Sequence, residues 1–359
     1  MTVSVLNVIT GLGVGGAEAS LVRLATAAQA RGLKQYVVSL GGPGHYAEAL
    51  EKNGIEVASL GMTSLPELPF ALTRLTRIVN RWQPKVIHGW MYHGNIMAAL
   101  SHRLAPGSQR RMLVWNLRAS NMDEERYGSV LRWSARLSRW PDVIVANSES
   151  GAAFHKSLGI EARRMLVIDN GIDSEIFCPD GAARQDVRRE LGIASEAPLL
   201  IHPARVDPMK DHATFLKAIA QVPEVKAVLV GSRTNRLEVP PNVRTLGLRK
   251  DMPRLFAAAD IVVSTSAFGE GFSNAIAEGM SAGLLPIVTD VGDARRIVGD
   301  AGRVVPSADP AALAAAIREE CASPESLAAK GLRARARIVE NFSVAKFVDA
   351  FTRLYRGAE

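Results

Sequence analysis

The sequence predicts an α/β protein made of two Rossmann-like halves, each a doubly wound parallel sheet, and three observations carry that reading. Short β-branched runs alternate with helix-forming segments along most of the chain without hairpin signals, the pattern of parallel strands joined by helical crossovers. The alternation breaks near Phe177-Cys-Pro179 and then begins afresh. At 359 residues, the chain is long for one domain and comfortable for two.

In chain order, Val3 to Thr10 reads as a strand, Ala17 to Ala30 as a helix, Gln35 to Leu40 as a strand and Tyr46 to Asn53 as a helix, followed by Glu56-Val-Ala-Ser-Leu. Leu72 to Arg81 is helical in pattern, Val86-Ile-His88 ends a strand, and Asn95 to Arg103 is a helix. Met112 to Asn116 and Val143 to Ala146 are further strands, and a charged helix lies near Gln185 to Leu191. The second half offers strand Pro198 to His202, helix Asp211 to Ala220, strands Val225 to Val230 and Val243 to Leu248, helix Met252 to Ala258, and strands at Ala259 to Ser266 and Pro286 to Thr289. Helices at Ala311 to Glu320 and Pro324 to Glu340 precede a last helix, Val344 to Arg356, whose Phe347, Phe351, Leu354 and Tyr355 share an apolar face. The expected domains are 1–175, 176–340 and a C-terminal helix in 341–359.

Composition narrows the class. With 47% hydrophobic and 22% charged residues the chain has ample core and is not disordered. Cys178 and Cys321 lack CxxC or ligand spacing, so they read as idle thiols in a reducing compartment. The N-terminus reads as a strand rather than a leader, and no apolar run is long enough to span a bilayer, so a cytoplasmic protein is expected. The net charge of +7 is uneven, with eight arginines against three acids from Arg103 to Arg139. Leu131 to Trp140 would place Arg132, Arg136 and Arg139 on one helical face and Trp133, Leu137 and Trp140 on another. That pattern suits the inner face of an anionic membrane, or else a surface helix packed on its own domain. No nucleic-acid motif accompanies the arginines.

The most informative stretch is Phe268-Gly-Glu-Gly-Phe-Ser-Asn-Ala-Ile-Ala-Glu278, between an apolar strand and a helix. Such a turn aims backbone N–H groups of Gly271, Phe272, Ser273 and Asn274 and a positive helix end at one point, which suits a phosphate. Glu270 and Glu278 bracket it and suit hydroxyls on either side. Phosphate flanked by polyols describes a nucleotide sugar. Elsewhere, Gly11, Gly13 and Gly16 match G-x-G-x-x-G after a strand, but the next strand ends Val38-Ser-Leu-Gly-Gly42 without the ribose-binding acid, so a nicotinamide cofactor is disfavoured. In Val86-Ile-His-Gly-Trp-Met-Tyr-His-Gly-Asn95, His88 and His93 sit where a strand opens into a loop, at the edge where open α/β sheets bind ligands.

Glu270 and Glu278, with the following Met280-Ser-Ala-Gly-Leu-Leu-Pro-Ile-Val-Thr-Asp-Val-Gly292, resemble the E-x7-E motif and trailing segment of retaining glycosyltransferases of family 4, which have the two-domain GT-B fold with a central cleft. The resemblance implies that the last helix crosses back to the first domain. It implies donor contacts for Gly15 and Gly16 in Gly-Gly-Ala-Glu18, a sugar-facing histidine in the 86–95 loop, and a basic pair, Arg205 and Lys210, on the leaving diphosphate. Many relatives carry His-x-His where this chain has Trp90 in the second slot; His93 is preferred over His88. Gly231 and Leu248 match segments near the phosphate and base, although Leu229-Val-Gly-Ser departs from the usual Gly-x-Gly. Glu278 would bind ribose and Glu270 the transferred sugar. No Asp-x-Asp is present to hold a metal, and no cofactor beyond the donor is expected. The implied reaction is sugar transfer with anomeric retention, from a nucleotide diphosphate sugar expected to be UDP-linked, to a glycan or lipid-linked acceptor. An epimerase of the same fold and a non-catalytic sugar-nucleotide sensor are the alternatives.

Overall fold

The computed structural model describes residues 3–107, 111–121 and 124–357. The chain divides into two compact units, residues 1–171 with 344–359, and residues 172–343. The division falls at Gly171/Ile172 and Ser343/Val344 rather than at Ile176 and 341. The Ile172 N–H donates to the Phe342 carbonyl at 2.8 Å and so brings the second unit's two ends together.

The first unit contains strands β1 (Ser4–Ile9), β2 (Lys34–Ser39), β3 (Glu56–Ser59), β4 (Val86–Trp90), β5 (Met112–Leu117), β6 (Val143–Ala146) and β7 (Met165–Val167). They form one parallel sheet in the order β3-β2-β1-β4-β5-β6-β7. Its helices are α1 (Gly16–Ala30), α2 (Ala47–Lys52), α3 (Leu68–Trp82), α4 (Met91–Leu104), α5 (Glu124–Leu137) and α6 (Glu149–Ser157). The central strands are buried on both faces, hence their unbroken apolar runs. The helix Val344–Tyr355 belongs to this unit: Phe347, Val348, Phe351, Leu354 and Tyr355 pack with Leu21, Leu24 and Trp90.

The second unit has strands β8 (Leu199–Pro203), β9 (Lys226–Val230), β10 (Val243–Gly247), β11 (Ile261–Ser264), β12 (Leu285–Thr289) and β13 (Arg303–Val305), in the order β10-β9-β8-β11-β12-β13. Its helices are α7 (Gly181–Leu191), α8 (His212–Ile219), α9 (Met252–Ala258), α10 (Asn274–Ser281), α11 (Ala294–Val298), α12 (Pro310–Cys321) and α13 (Pro324–Asn341); Val344–Tyr355 is α14. Arg184 and Arg188 of α7 both bind Asp260, which also accepts from the Leu199 N–H at 2.8 Å, pinning α7 to the amino ends of β8 and β11.

Four differences from the sequence reading have local causes. The edge strands β7 and β13 are three residues each, too short to show alternation. Helices α6 and α11, of nine and five residues, were likewise not anticipated. Helix α3 starts at Leu68, not Leu72, because Pro69 fits the first helical turn, where its missing N–H has no partner to lose. Helix α5 ends at Leu137, so Arg139 and Trp140 leave the helical face assigned to them.

Helix α4 lies close against β1, and a Cβ at Gly94 would stand 2.4 Å from the Val8 carbonyl oxygen. Gly94→Ala is therefore expected to destabilise the chain by ~1–3 kcal/mol as an overpacked contact, read as a lower midpoint in urea unfolding.

Candidate functional site

Each sheet reverses its winding direction between two neighbouring strands, β1 and β4 in the first unit and β8 and β11 in the second. Loops leaving the carboxyl ends of such a strand pair part toward opposite faces and leave a crevice suited to a ligand. In the second unit these loops carry Arg205, Lys210 and Glu270.

After β8, the Asp207 carboxylate accepts from the Met209 N–H at 3.0 Å and shapes a one-turn helix, Pro208–Lys210. Asp211 follows with φ +41°, a conformation its short polar side chain tolerates, and caps α8 by accepting from the Thr214 N–H at 3.1 Å. The loop after β11 is bonded onto this turn. The Thr265 hydroxyl shares its proton between the Lys210 and Asp211 carbonyls, at 2.9 and 3.0 Å, and the Ala267 N–H donates to the Met209 carbonyl at 2.9 Å. His202 Nε2 bonds Thr265 Oγ1 from beneath at 2.9 Å, and burial holds this imidazole well below its usual pKa. It is therefore neutral and donates through Nε2.

This scaffold brings Lys210 and Glu270 together. Lys210 Nζ donates to Glu270 Oε2, and Ser266 Oγ donates to the same oxygen at 2.6 Å. Their side chains are 17% and 11% exposed. The reading that gave Lys210 to a phosphate and Glu270 to a sugar is thus met by a direct ion pair. An ammonium has three donors, so one bond to Glu270 leaves capacity for an anion.

Arg205 is not part of that pair. Its side chain is 57% exposed, and Nε and Nη2 both donate to Asp207 Oδ2 at 3.1 and 2.9 Å. Gly231 has φ +152°, and a Cβ there would fall 2.3 Å from the Ala204 carbonyl oxygen, so glycine permits the end of β9 to pass the 204–211 loop. Leu248 is 76% exposed. At α10, Phe272 is buried and packs edge-on against Phe342 with 5.4 Å between ring centres, leaving its backbone for the site. Ser273 is the cap residue, its side chain makes no cap bond, and Asn274 opens the helix. Glu278 lies one turn further along from Asn274, on the same face. A small cavity of about 20 Å³ is lined by His202, Lys210, Ser264, Ser273 and Ile276. A larger one of about 770 Å³ runs along β3 and α3, beside Arg74, Arg77 and Arg81, and holds no motif residue; the chemistry of the loops rather than volume selects the site.

In the first unit, Gly15 caps α1 in extended conformation and Gly16 opens it, exposed, with free space where a Cβ would project. The histidine reading needs correction. No loop separates β4 from α4: strand passes directly to helix at Met91, which takes φ +61°. His88 lies inside the strand, fully buried, with Nδ1 2.7 Å from the Tyr355 hydroxyl, so it serves the core. His93 sits in the first turn of α4, partly buried, its pKa lowered by burial. Trp90 is buried and donates from Nε1 to Asn7 Oδ1 at 3.1 Å.

The basic tryptophan segment is also corrected. Leu131 and Leu137 are buried and Trp140 stacks against Arg103 at 4.6 Å, leaving Trp133, 55% exposed, with Arg136 5.5 Å from its ring. Cys178 and Cys321 are free thiols, and burial pushes Cys321 up to about 12. Among the described residues, no group of three or more His, Cys, Asp or Glu could hold a metal ion, and no helix is long and apolar enough to cross a membrane.

The sequence reasoning missed Thr265, Ser266 and Thr289. Thr289 Oγ1 donates to the Ser266 carbonyl at 2.6 Å and steadies the loop from β12. Thr265-Ser266 directly after a buried strand was the available signal.

Two parallel-sheet units of this strand order, with site loops at their switch points, define the GT-B class of fold, and solved structures of glycosyltransferases share it. Residues 14–176 match the family described as Glycosyltransferase Family 4 and residues 197–322 the one described as Glycosyl transferases group 1, and the chain belongs to these glycosyltransferases. It is 30% identical over 244 residues to a D-inositol 3-phosphate glycosyltransferase of Geodermatophilus obscurus, covering 60% of this chain and 53% of the relative. It is 24% identical to the putative glycosyltransferase EpsF of Bacillus subtilis, over 80% of this chain and 79% of that one. The alignments thus span about half the length of the inositol phosphate transferases. Among solved structures, Anabaena HepE in complex with UDP-glucose superposes with a TM-score of 0.82 at 23% identity, covering 99% of each chain. WaaG, a glycosyltransferase involved in lipopolysaccharide biosynthesis, gives 0.68 at 17% identity, over 99% of this chain and 100% of that one.

Two predictions follow from the geometry. In a double-mutant cycle of Lys210→Met and Glu270→Gln, the double variant should be more stable than the sum of the single losses by ~0.5–3 kcal/mol, because each single change strands one charge; urea unfolding measures it. The second concerns His88, whose pKa burial lowers from 6.5 to about 3, with the Arg118 charge adding to the effect. Below pH 6.5 the unfolded chain binds the proton and the folded chain does not, so stability is full above that value and falls as pH drops toward 3. At ~1.4 kcal/mol per pH unit, His88 alone should cost ~2 kcal/mol between pH 7.5 and 5, and His88→Gln should remove that part of the pH slope in unfolding experiments.

Proposed function

We propose that the protein is a retaining glycosyltransferase that moves a sugar from a UDP-sugar to a glycan or lipid-linked acceptor in cell-envelope or exopolysaccharide biosynthesis. The observation that carries the reading is the Lys210–Glu270–Ser266 cluster beside the start of α10 at the second sheet's switch point. Departure of a nucleoside diphosphate builds negative charge on its phosphate oxygens, and donors fixed in advance lower that barrier. Lys210, Arg205 and the backbone N–H groups around Gly271 to Asn274 take that charge in this reading. Glu270 and its hydrogen-bonded Ser266 hold the transferred sugar's hydroxyls, Glu278 the ribose, and Gly231 and Leu248 line the nucleotide. From the first unit, Gly15 and Gly16 face the donor and His93 the sugar.

The bond from the anomeric carbon to the diphosphate oxygen breaks, and the acceptor oxygen bonds that carbon on the same face. The acceptor's proton passes to the departing phosphate, so configuration is retained without a covalent enzyme intermediate and without a metal ion. UDP as the carrier is supported by the HepE complex, and an envelope role by the likeness to WaaG. A cytoplasmic protein touching an anionic membrane surface through Trp133, Arg132 and Arg136 is the accompanying proposal for location.

The test is a calorimetric screen of nucleotide sugars coupled to an assay of diphosphate release with lipid-linked and glycan acceptors. Glu278→Ala should weaken donor binding by ~10-fold or more, the worth of a charged hydrogen bond. Lys210→Ala should lower turnover by ~10²–10³-fold with a smaller effect on binding. Normal binding and turnover in both variants rules the assignment out. A donor sugar that changes configuration without acceptor would favour an epimerase, and donor binding with no released diphosphate a sensor.

A further inference from the structure

Arg118 follows β5 at the carboxyl edge of the first sheet. Its Nη2 donates to Ser20 Oγ of α1 at 2.8 Å and to Asn170 Oδ1, and the guanidinium lies 5.4 Å from the centre of the Trp90 ring. Its Nη1 is enclosed and has no hydrogen-bond partner among the described residues. Arg23, three residues beyond Ser20 on α1, donates to the Gly171 carbonyl. No described carboxylate pairs with either arginine; a hydroxyl, an amide oxygen and a carbonyl are their acceptors.

Two guanidinium groups anchored to the neighbouring residues 170 and 171, one also to α1, with neutral acceptors alone, are an expensive arrangement. Burial, with Arg23's charge adding to it, pushes Arg118 down to about 9, which still leaves it cationic at neutral pH. A cation kept only to tether α1 to the 165–171 segment is more cheaply replaced by a neutral amide, since an enclosed charge without a counter-ion loses its hydration for nothing. With both Nη2 protons spent on Ser20 and Asn170, the two N–H groups of Nη1 are the donors left for an oxyanion. Trp90, locked by Asn7, supplies a flat π face that favours a cation above it.

We infer that Arg118 and Arg23 form an anion site in the first unit that takes a phosphate ester group of a substrate. This rests on the proposed transferase reading, because the phosphate is either the donor's diphosphate or a phosphate carried by the acceptor. Arg118 acts on that group by direct contact, and Arg23 supplies the second charge.

The experiment titrates inorganic phosphate and pyrophosphate into the full chain by calorimetry, in a Lys210→Ala/Arg205→Ala background that removes both cations the second unit offers a phosphate. One anion should bind per chain, Arg118→Gln and Arg23→Gln should each weaken it at least 10-fold, and Arg118→Lys should recover part of the loss. Competition identifies the source. Displacement of phosphate by UDP assigns the site to the donor, and displacement by glycerol phosphate but not by UDP assigns it to the acceptor. Absence of phosphate binding, unchanged affinity in both glutamine variants, displacement by neither competitor, or loss of thermal stability alone overturns the inference and leaves Arg118 a tether. Failure of the unsubstituted chain to bind any UDP-sugar, with the phosphate results intact, would instead remove the transferase reading and leave the anion site standing.

Discussion

The Thr265 hydroxyl sets the spacing on which the second unit's site depends. One proton shared between the Lys210 and Asp211 carbonyls holds the loop after β11 to the loop after β8, where the sheet's winding reverses and no ladder bond can do so. Neutral His202 supports it from below, and Thr289 braces the neighbouring Ser266. With these contacts made, the Lys210 ammonium and the Glu270 carboxylate share one small space. Rigid support of this kind is what electrostatic catalysis asks for, since donors that must reorganise during reaction lose most of their advantage.

Charge is handled differently in the two units. In the second, Lys210 has Glu270, Arg205 has Asp207, and Arg184 and Arg188 have Asp260, so its cations are largely matched at short range. In the first, surface cations such as Lys34, Lys52 and Arg139 also have carboxylates, but Arg23 and Arg118 rest on neutral acceptors. The net charge of +7 therefore reflects local positive fields as well as a general surplus. A matched pair stays ready to exchange partners when a ligand arrives, whereas an unmatched pair in a confined place is stabilised by the arrival itself.

Much of the fold was legible because both sheets are buried on both faces and announce themselves as continuous apolar strands. Helix α10 and the turn before it were legible for the same reason, since Ile261 to Ser264 and Asn274 to Ser281 leave little freedom for the residues between. The helix that Asp211 caps was legible one residue out of place, since an aspartate at a helix start is a local signal. His88 and His93 were harder. A histidine next to glycine and tryptophan suggested a loop, but Met91 turns the chain into α4 at once, and α14, more than 250 residues away, supplies the Tyr355 that occupies His88. Arg139 and Trp140 failed as helix residues because α5 ends at Leu137, and the stop was signalled by Pro141, whose ring keeps the residue before it out of the helical region.

By itself the sequence determined two parallel-sheet halves, the strand-turn-helix around Glu270 and Glu278, and the residue types able to meet a sugar nucleotide, because periodicity and turn chemistry are local. Only the tertiary structure decided partnership: Lys210 with Glu270, Arg205 with Asp207, His88 with Tyr355, and Arg118 with no counter-ion. Those outcomes depend on distances between segments 60 to 267 residues apart, or on which acid within reach a long side chain selects, and neither is written in any single stretch of the chain.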